Sequence, residues 1–263
     1  MSVAGKTIWI TGASSGIGEA LVYACAAQSA NIILSARRTQ ELERVSAQAG
    51  ANTYVLPLDL CEPDTFASKT EEAINAFGHI DIIIHNGGIS QRGSVMNTEL
   101  SVYYRMMEVD FFSYVALTKA LLPHFQQRRS GHFVVISSVM GKLGTPLRSG
   151  YAAAKHALHG FFDCLRAESA DNINVTLICP GYVRTNVAVN ALSATGEKHG
   201  KRDQEVAEGH PADQTAEQIL RAVAANRYEA YVGKPFGQER LGLLIKRFLP
   251  SLMVRIAERQ TPK

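Results

Sequence analysis

The chain has 263 residues, 46% of them hydrophobic and 19% charged, and carries a net charge of +3 at pH 7. That length suits one large α/β domain or two small ones, and so small a positive balance gives no footing for nucleic-acid binding. Four cysteines, Cys25, Cys61, Cys164 and Cys179, show neither a C-x-x-C pair nor zinc spacing, so each is expected as a small core residue rather than a metal ligand or disulfide partner, in keeping with a reducing cytoplasm.

Residues 7–10 (TIWI) read as a buried strand that begins too close to the N-terminus to leave room for a signal peptide. The strand runs into Thr11-Gly12-Ala13-Ser14-Ser15-Gly16-Ile17-Gly18, then into a helical pattern over 19–28. Strand, glycine turn and helix together place phosphates at a helix N-terminus. Gly12 allows a tight turn, Gly16 admits a pyrophosphate to the backbone, and Gly18 allows close helix packing. Residues 31–35 form the second strand. Where an NAD site carries an acidic residue for the ribose hydroxyl, this chain has Ala36-Arg37-Arg38. Two guanidiniums and no carboxylate predict a 2′-phosphate, hence NADP(H), with the Ser14 hydroxyl adding a contact.

A helix over 40–48 and a third strand over 54–56 lead to Asp59-Leu60. Asp59 either touches adenine at the carboxyl end of that strand or caps a helix beginning near Glu62. A fourth strand, 80–84, ends in His85-Asn86-Gly87-Gly88, where paired glycines imply close backbone approach. His85 has no second ligand nearby and reads as structural. Residues 132–136 form a fifth strand, directly before Ser138.

Tyr151 and Lys155 stand four apart, hence one helical turn apart on one face. An ammonium beside a phenol favours the phenolate and equips the tyrosine for proton transfer. With the Ser138 hydroxyl, the three read as a proton-transfer site at a carbonyl or alcohol. A sixth strand covers 175–179. The segment 186–211 has no clear period and reads as a mobile cover over the site. Met140, Leu143, Tyr182 and Val187 either line an apolar pocket there or belong to the core. A helix over 211–226 and a last strand over 229–232 close the domain.

From Lys234 to Lys263 there are seven Lys/Arg against two acids, while Leu241, Leu244, Ile245, Phe248, Leu249 and Leu252 repeat at helical spacing. Pro250 is expected to split this segment into two helices. Such a basic amphipathic segment lies on an anionic membrane surface or packs on the body or a partner subunit. The organisation expected is therefore a catalytic domain over 1–235 and a basic extension over 236–263. The protein is expected in the cytoplasm, with a peripheral membrane contact through 236–263 as one reading.

These residues resemble the short-chain dehydrogenases/reductases of the single-domain type, over about residues 4–235. Thr11 to Gly18 is similar to that family's TGxxxGxG element, and Asn86-Gly87-Gly88 to its NAG element, with Gly87 where alanine is usual. Ser138, Tyr151 and Lys155 fall on its catalytic serine, tyrosine and lysine, and Pro180-Gly181 with Thr185 on its PGxxxT element. Residues 88–92 and 180–200 further resemble the branch of the 11β-hydroxysteroid dehydrogenases and the member-seven group. The resemblance implies a doubly wound, Rossmann-type parallel sheet of about seven strands with helices on both faces. It implies hydride transfer between the nicotinamide of NADP(H) and a carbonyl or secondary alcohol of a lipophilic small molecule. Lys155 would bind the nicotinamide ribose, and Thr185 with the backbone near Val183 would fix the carboxamide. A homodimer or homotetramer is implied as well. An NAD-dependent enzyme and a catalytically weak dinucleotide sensor are the alternatives. One departure stands out: on the helix following Val109 the family often has an asparagine for proton relay, and this chain has Asp110.

Overall fold

The computed structural model describes residues 3–50, 52–169, 172–234 and 237–259. Seven strands form one sheet: β1 (Thr7–Thr11), β2 (Asn31–Ser35), β3 (Thr53–Val55), β4 (Ile82–His85), β5 (Gly131–Ile136), β6 (Ile173–Pro180) and β7 (Glu229–Val232). Their order is β3-β2-β1-β4-β5-β6-β7, with every pairing parallel. Such a sheet must be covered on both faces, and the strands show it as near-continuous apolar runs such as TIWIT and GHFVVI. Side chains alternate between the two cores. Ile8 and Ile10 of β1 face helices α1 (Gly16–Ala26), α2 (Thr39–Ala49) and α8 (Ala212–Ala224). Trp9 faces α3 (Phe66–Phe77), α5 (Ser113–Arg128) and α6 (Ser149–Glu168).

The chain builds outward from β1 to β3, then crosses to β4 on the other side of β1. That reversal opens a crevice at the carboxyl ends of β1 and β4, the usual ligand position in an open α/β sheet. Helix α4 (Leu100–Met107) runs through a π turn at 108–112 into α5. The short α7 (Gln204–Ala207) lies within the 186–211 segment.

The boundaries differ from expectation where turn chemistry intervenes. Helix α1 starts at Gly16, because the glycines are enrolled in its first turn. Strand β4 starts at Ile82 rather than Ile80; Asp81 just before it is still bonded to both neighbours through its backbone, and its carboxylate accepts the Thr7 N–H at 2.9 Å and meets Arg128 at 3.1 Å. Helix α3 starts at Phe66 rather than near Glu62, since Pro63 opens a 3₁₀ turn instead. The C-terminal segment divides as expected, into α9 (Gln238–Phe248) and α10 (Pro250–Arg259), with Pro250 as the first residue of the second helix. Pro235 and Phe236, at the expected domain boundary, and the basic Lys263 lie outside the described residues. No helix among the described residues is long and apolar enough to cross a membrane.

Candidate active site

A crevice of about 820 Å³ runs across the carboxyl ends of the strands. At one end the glycine turn is pinned to β4. Thr11 Oγ1 accepts the N–H groups of Asn86 (3.0 Å) and Gly87 (3.1 Å), and the Asn86 amide donates to the Thr11 carbonyl at 2.9 Å. Gly12 has φ +67°, and a Cβ there would lie 2.7 Å from the Gly87 Cα, so only glycine allows the two loops to meet. Gly12, Ser14, Ser15, Gly16, Ile17, Asn86 and Gly87 all line the crevice. Gly18 does not. A Cβ on it would lie 2.2 Å from the Gly12 carbonyl oxygen, so its part is to let α1 close against the turn.

The first turn of α1 has no side-chain cap. Its N–H groups at Gly16 and Ile17 therefore suit an anion in the crevice, which is what a dinucleotide pyrophosphate offers. Arg37 and Arg38 line the same end, and Arg38 donates to the Ser14 hydroxyl at 3.0 Å and its carbonyl at 3.3 Å. Asp59 and Leu60 are also on the wall. The Asp59 carboxylate accepts the Cys61 N–H at 3.1 Å, closing a local turn rather than capping α3. Cys61 lines the crevice and Cys164 is exposed, so of the four free thiols only Cys25 and Cys179 are buried as core residues. Among the described residues no cluster of His, Cys, Asp and Glu is placed to hold a metal ion.

Ser138, Tyr151 and Lys155 line the same crevice. Ser138 lies two residues past β5 and caps a 3₁₀ turn, its Oγ accepting the Met140 N–H at 3.1 Å. Gly150, just before Tyr151, gives its N–H to the buried Gln91 side chain at 2.8 Å, which fixes where α6 begins. Lys155 is 4% exposed. Its Nζ donates to the Ile136 carbonyl at 3.2 Å and lies 5.7 Å from the Tyr151 ring centroid and 5.1 Å from that of Tyr114.

Asp110 is not on the crevice wall, contrary to a direct catalytic role. It is fully buried on the π turn, where Oδ1 accepts the Ile89 N–H at 2.8 Å and Oδ2 lies 3.6 Å from Lys155 Nζ. Burial pushes the Asp110 carboxyl up, opposed by the Lys155 ammonium. Burial works against the Lys155 cation too, but Tyr114, Asp110 and Tyr151 outweigh it and hold Lys155 above the usual lysine value. Tyr114 donates to the Gly87 carbonyl at 3.0 Å, and burial pushes its phenol up to about 12. His85 donates to or accepts from Thr118 at 3.0 Å and stacks on Tyr114, a core role as expected.

Pro180, Gly181, Val183 and Thr185 line the crevice after β6, and a Cβ at Gly16 would lie 3.0 Å from Thr185 Cγ2, so this loop meets the glycine turn. Met140, Leu143, Tyr182 and Val187 also line it; Met140 and Leu143 belong at the same time to a small core cluster beside Tyr151. The 186–211 segment contributes residues such as Asn190 and Leu192 to the crevice wall and is tied to the body by backbone bonds (Arg92 N–H to the Leu192 carbonyl at 2.7 Å, Leu192 N–H to the Ser90 carbonyl at 2.8 Å) and by an ionic junction. Asp203 accepts from Arg92 Nε at 2.9 Å and from Arg148 Nη2 at 3.0 Å, while Arg148 lies over the Tyr182 ring. The C-terminal helices contribute as well: Gln238, Glu239, Gly242 and Met253 line the crevice, and Glu239 accepts the Tyr182 N–H at 2.7 Å. Tyr114, Gln91, the Arg92–Asp203–Arg148 junction and the helical contributions were not read from the sequence.

Comparison with known proteins agrees with this architecture. A family model described as short chain dehydrogenase matches residues 6–195. The mouse protein "Dehydrogenase/reductase SDR family member 7B" is 39% identical over 255 residues, covering 94% of this chain and 75% of that one. A Drosophila melanogaster "Dehydrogenase/reductase SDR family protein 7-like" is 41% identical, covering 98% and 81%. Among solved structures, a short-chain dehydrogenase from Streptomyces avermitilis has a TM-score of 0.79 at 26% identity, covering 98% of this chain and 97% of that one. One from Burkholderia phymatum in complex with NAD has a TM-score of 0.84 at 21% identity, covering 96% of each, a likeness of fold.

Proposed function

The chain belongs to the short-chain dehydrogenase/reductase family, on its member-7 branch, and we propose that it works with NADP(H) on a carbonyl or secondary alcohol of a lipophilic small molecule. As a member it is an NAD(P)-dependent oxidoreductase acting on CH–OH and C=O groups. The observation that carries the reading is the presence of Ser138, Tyr151 and Lys155 on the wall of the crevice that the glycine turn also lines.

The residues fit a dinucleotide: an uncapped helix N-terminus for the pyrophosphate, and backbone-to-backbone contact at Gly12 that clears its path. The nicotinamide, when bound, supplies or accepts the hydride. In the reducing direction Tyr151 gives its phenolic proton to the substrate oxygen. Ser138 Oγ already accepts from the Met140 N–H, leaving its own hydrogen to donate to that oxygen, where negative charge develops. Lys155 stays a cation in a buried setting and compensates the charge left on the Tyr151 oxygen. Through the family resemblance, Lys155 also serves the nicotinamide ribose, and Val183 and Thr185 the carboxamide. Asp110 acts through Lys155 as a positioning residue. Met140, Leu143 and Val187 favour an apolar substrate over a sugar, with the 186–211 segment as its cover.

NADP(H) over NAD(H) rests on Arg37 and Arg38, with Arg38 already bonded to Ser14 at the β2 end. Initial rates with NADPH and NADH against a panel of ketones, aldehydes and sterols test both cofactor and substrate. The expected result is turnover at least about tenfold more efficient with NADPH, the scale of one charge-assisted contact. Faster turnover with NADH would overturn the reading of the two arginines.

A further inference from the structure

We propose that Gln91 is a positioning residue for the reaction. It ties the 186–211 segment to the first turn of α6 and so sets where the Tyr151 hydroxyl stands. Its side chain is fully buried, and both ends of the amide are used. Oε1 accepts the Gly150 N–H at 2.8 Å, and Nε2 donates to Thr98 Oγ1 at 3.1 Å. Thr98 gives its own hydroxyl hydrogen to the Ser94 carbonyl at 2.7 Å, so toward Gln91 it can only accept. That order of donors leaves one orientation for the amide, with its oxygen toward α6.

Helix α6 needs that oxygen. Its N-cap residue, Arg148, makes no side-chain cap, so the N–H groups of the first turn depend on other segments. Gly150, the second residue of the helix, is buried, where an unpaired N–H is costly. A Cβ at Gly150 would lie 2.9 Å from Gln91 Oε1, so the amide sits directly against the backbone that precedes Tyr151. The chain enters α6 through Leu147, whose φ of +66° is rare for a leucine and persists only where neighbours hold it. Gly93, two residues after Gln91, donates to the Leu147 carbonyl at 3.0 Å.

The backbone around Gln91 holds the 186–211 segment at the same time. Gln91 forms a parallel bridge with Leu192, in which Arg92 donates to the Leu192 carbonyl at 2.7 Å and Leu192 to the Ser90 carbonyl at 2.8 Å. Glu99, next to Thr98, donates to the Ala194 carbonyl at 2.9 Å. Leu192 and Tyr151 both line the crevice. The seating of the segment and the start of the helix that carries Tyr151 therefore meet in one residue. Placement errors of about 1 Å cost as much as 100-fold in rate. Gln91 guards against them without touching the reacting atoms.

The effect on turnover rests on the reading of Tyr151 as proton donor; the tie through Gln91 does not, and the test separates the two. Gln91→Met keeps the length of the side chain and removes both polar atoms. Thr98→Val removes only the acceptor that orients the amide. Amide hydrogen exchange of the full-length protein should accelerate at least about fivefold in 149–153 and 189–196 for Gln91→Met, with 156–168 unchanged. With NADPH and the carbonyl that the wild-type protein reduces fastest, kcat should fall at least about tenfold while the Kd for NADPH stays within about threefold. Thr98→Val should show the same changes in smaller measure, and the double variant should be no slower than Gln91→Met, since Thr98 acts through Gln91. Unchanged exchange over 149–153 would overturn the proposal. So would an unchanged kcat beside accelerated exchange, the mark of a structural role alone, or losses in kcat that multiply in the double variant. Accelerated exchange in a protein that reduces no carbonyl would uphold the tie and overturn the function proposed above.

Discussion

At the scale of single residues, a buried lysine sets the character of the site. Lys155 keeps its charge with Asp110 as its carboxylate neighbour at 3.6 Å and two phenol rings around it. Removing one partner of a buried pair leaves the other charge uncompensated, at about 3–5 kcal/mol. Asp110→Ala should therefore lower unfolding free energy by about that amount in urea denaturation. Asp110→Asn keeps an acceptor for the Ile89 N–H but leaves Lys155 equally uncompensated, so it should lose nearly as much, short of Asp110→Ala by about the 1 kcal/mol of one hydrogen bond. A loss in Asp110→Asn less than half that of Asp110→Ala would show that the charge on Asp110 does not carry the effect. Ser138, Tyr151 and Lys155 were legible in the sequence because their relation is local: two share a helical turn and the third follows a strand. The family resemblance then assigned them roles. The junction at Asp203 was not legible, because its arginines lie 111 and 55 residues away and nothing local marks them as partners. Tyr114 carries no motif at all, and its place under Lys155 follows from how α5 crosses the sheet.

At the scale of elements, the strands announced themselves as apolar runs, and their alternation with helices is what makes the pairings parallel, while the doubly wound arrangement was implied by the family resemblance. The turns did not. The π turn at 108–112 breaks the 3.6-residue period, so the sequence places Asp110 on a helix without showing that it faces inward. Pro63 reads as a helix start and instead makes a 3₁₀ turn. Close backbone approach at the glycine turn gives a sharp prediction. A methyl on Gly18 would meet the Gly12 carbonyl at 2.2 Å, and backbone cannot give way as a side chain can. Gly18→Ala should weaken dinucleotide binding at least tenfold and lower stability by about 1–3 kcal/mol, the cost of overpacking; fluorescence titration and thermal unfolding measure the two. Two arginines sharing Asp203 tie the 186–211 segment to the body beside its backbone bonds at Leu192 and Ala194. Asp203→Ala leaves both guanidiniums, 8% and 16% exposed, without that carboxylate. Limited proteolysis within 186–211 should accelerate and the KM for the carbonyl substrate should rise, while the KM for NADPH changes little. Unchanged cleavage would show that the segment is held by other contacts.

At the scale of the whole molecule, the two cores contain titratable groups that link stability to pH. Burial lowers His85 to about 3 and His132 to about 4. Below the ordinary histidine value of about 6.5 the unfolded chain takes up protons that the fold refuses, so stability is full above that pH and falls as pH drops toward 4. Each histidine contributes a slope of up to about 1.4 kcal/mol per pH unit. Glu229, held down to about 2 by the His159 imidazole 3.5 Å away and by Lys142, adds a further loss below about 4.5 as its carboxylate is protonated. Urea unfolding at pH 7.5, 6 and 5 should therefore give steadily lower free energies, and a flat profile would contradict the burial of His85 and His132. The central claim is that one phenol delivers the proton in a crevice that binds the dinucleotide on its own. Single-turnover kinetics of Tyr151→Phe, paired with NADPH titration, tests it most directly. The account predicts a loss of turnover of at least about a thousandfold with NADPH affinity within about threefold of wild type. Turnover near the wild-type rate would contradict it.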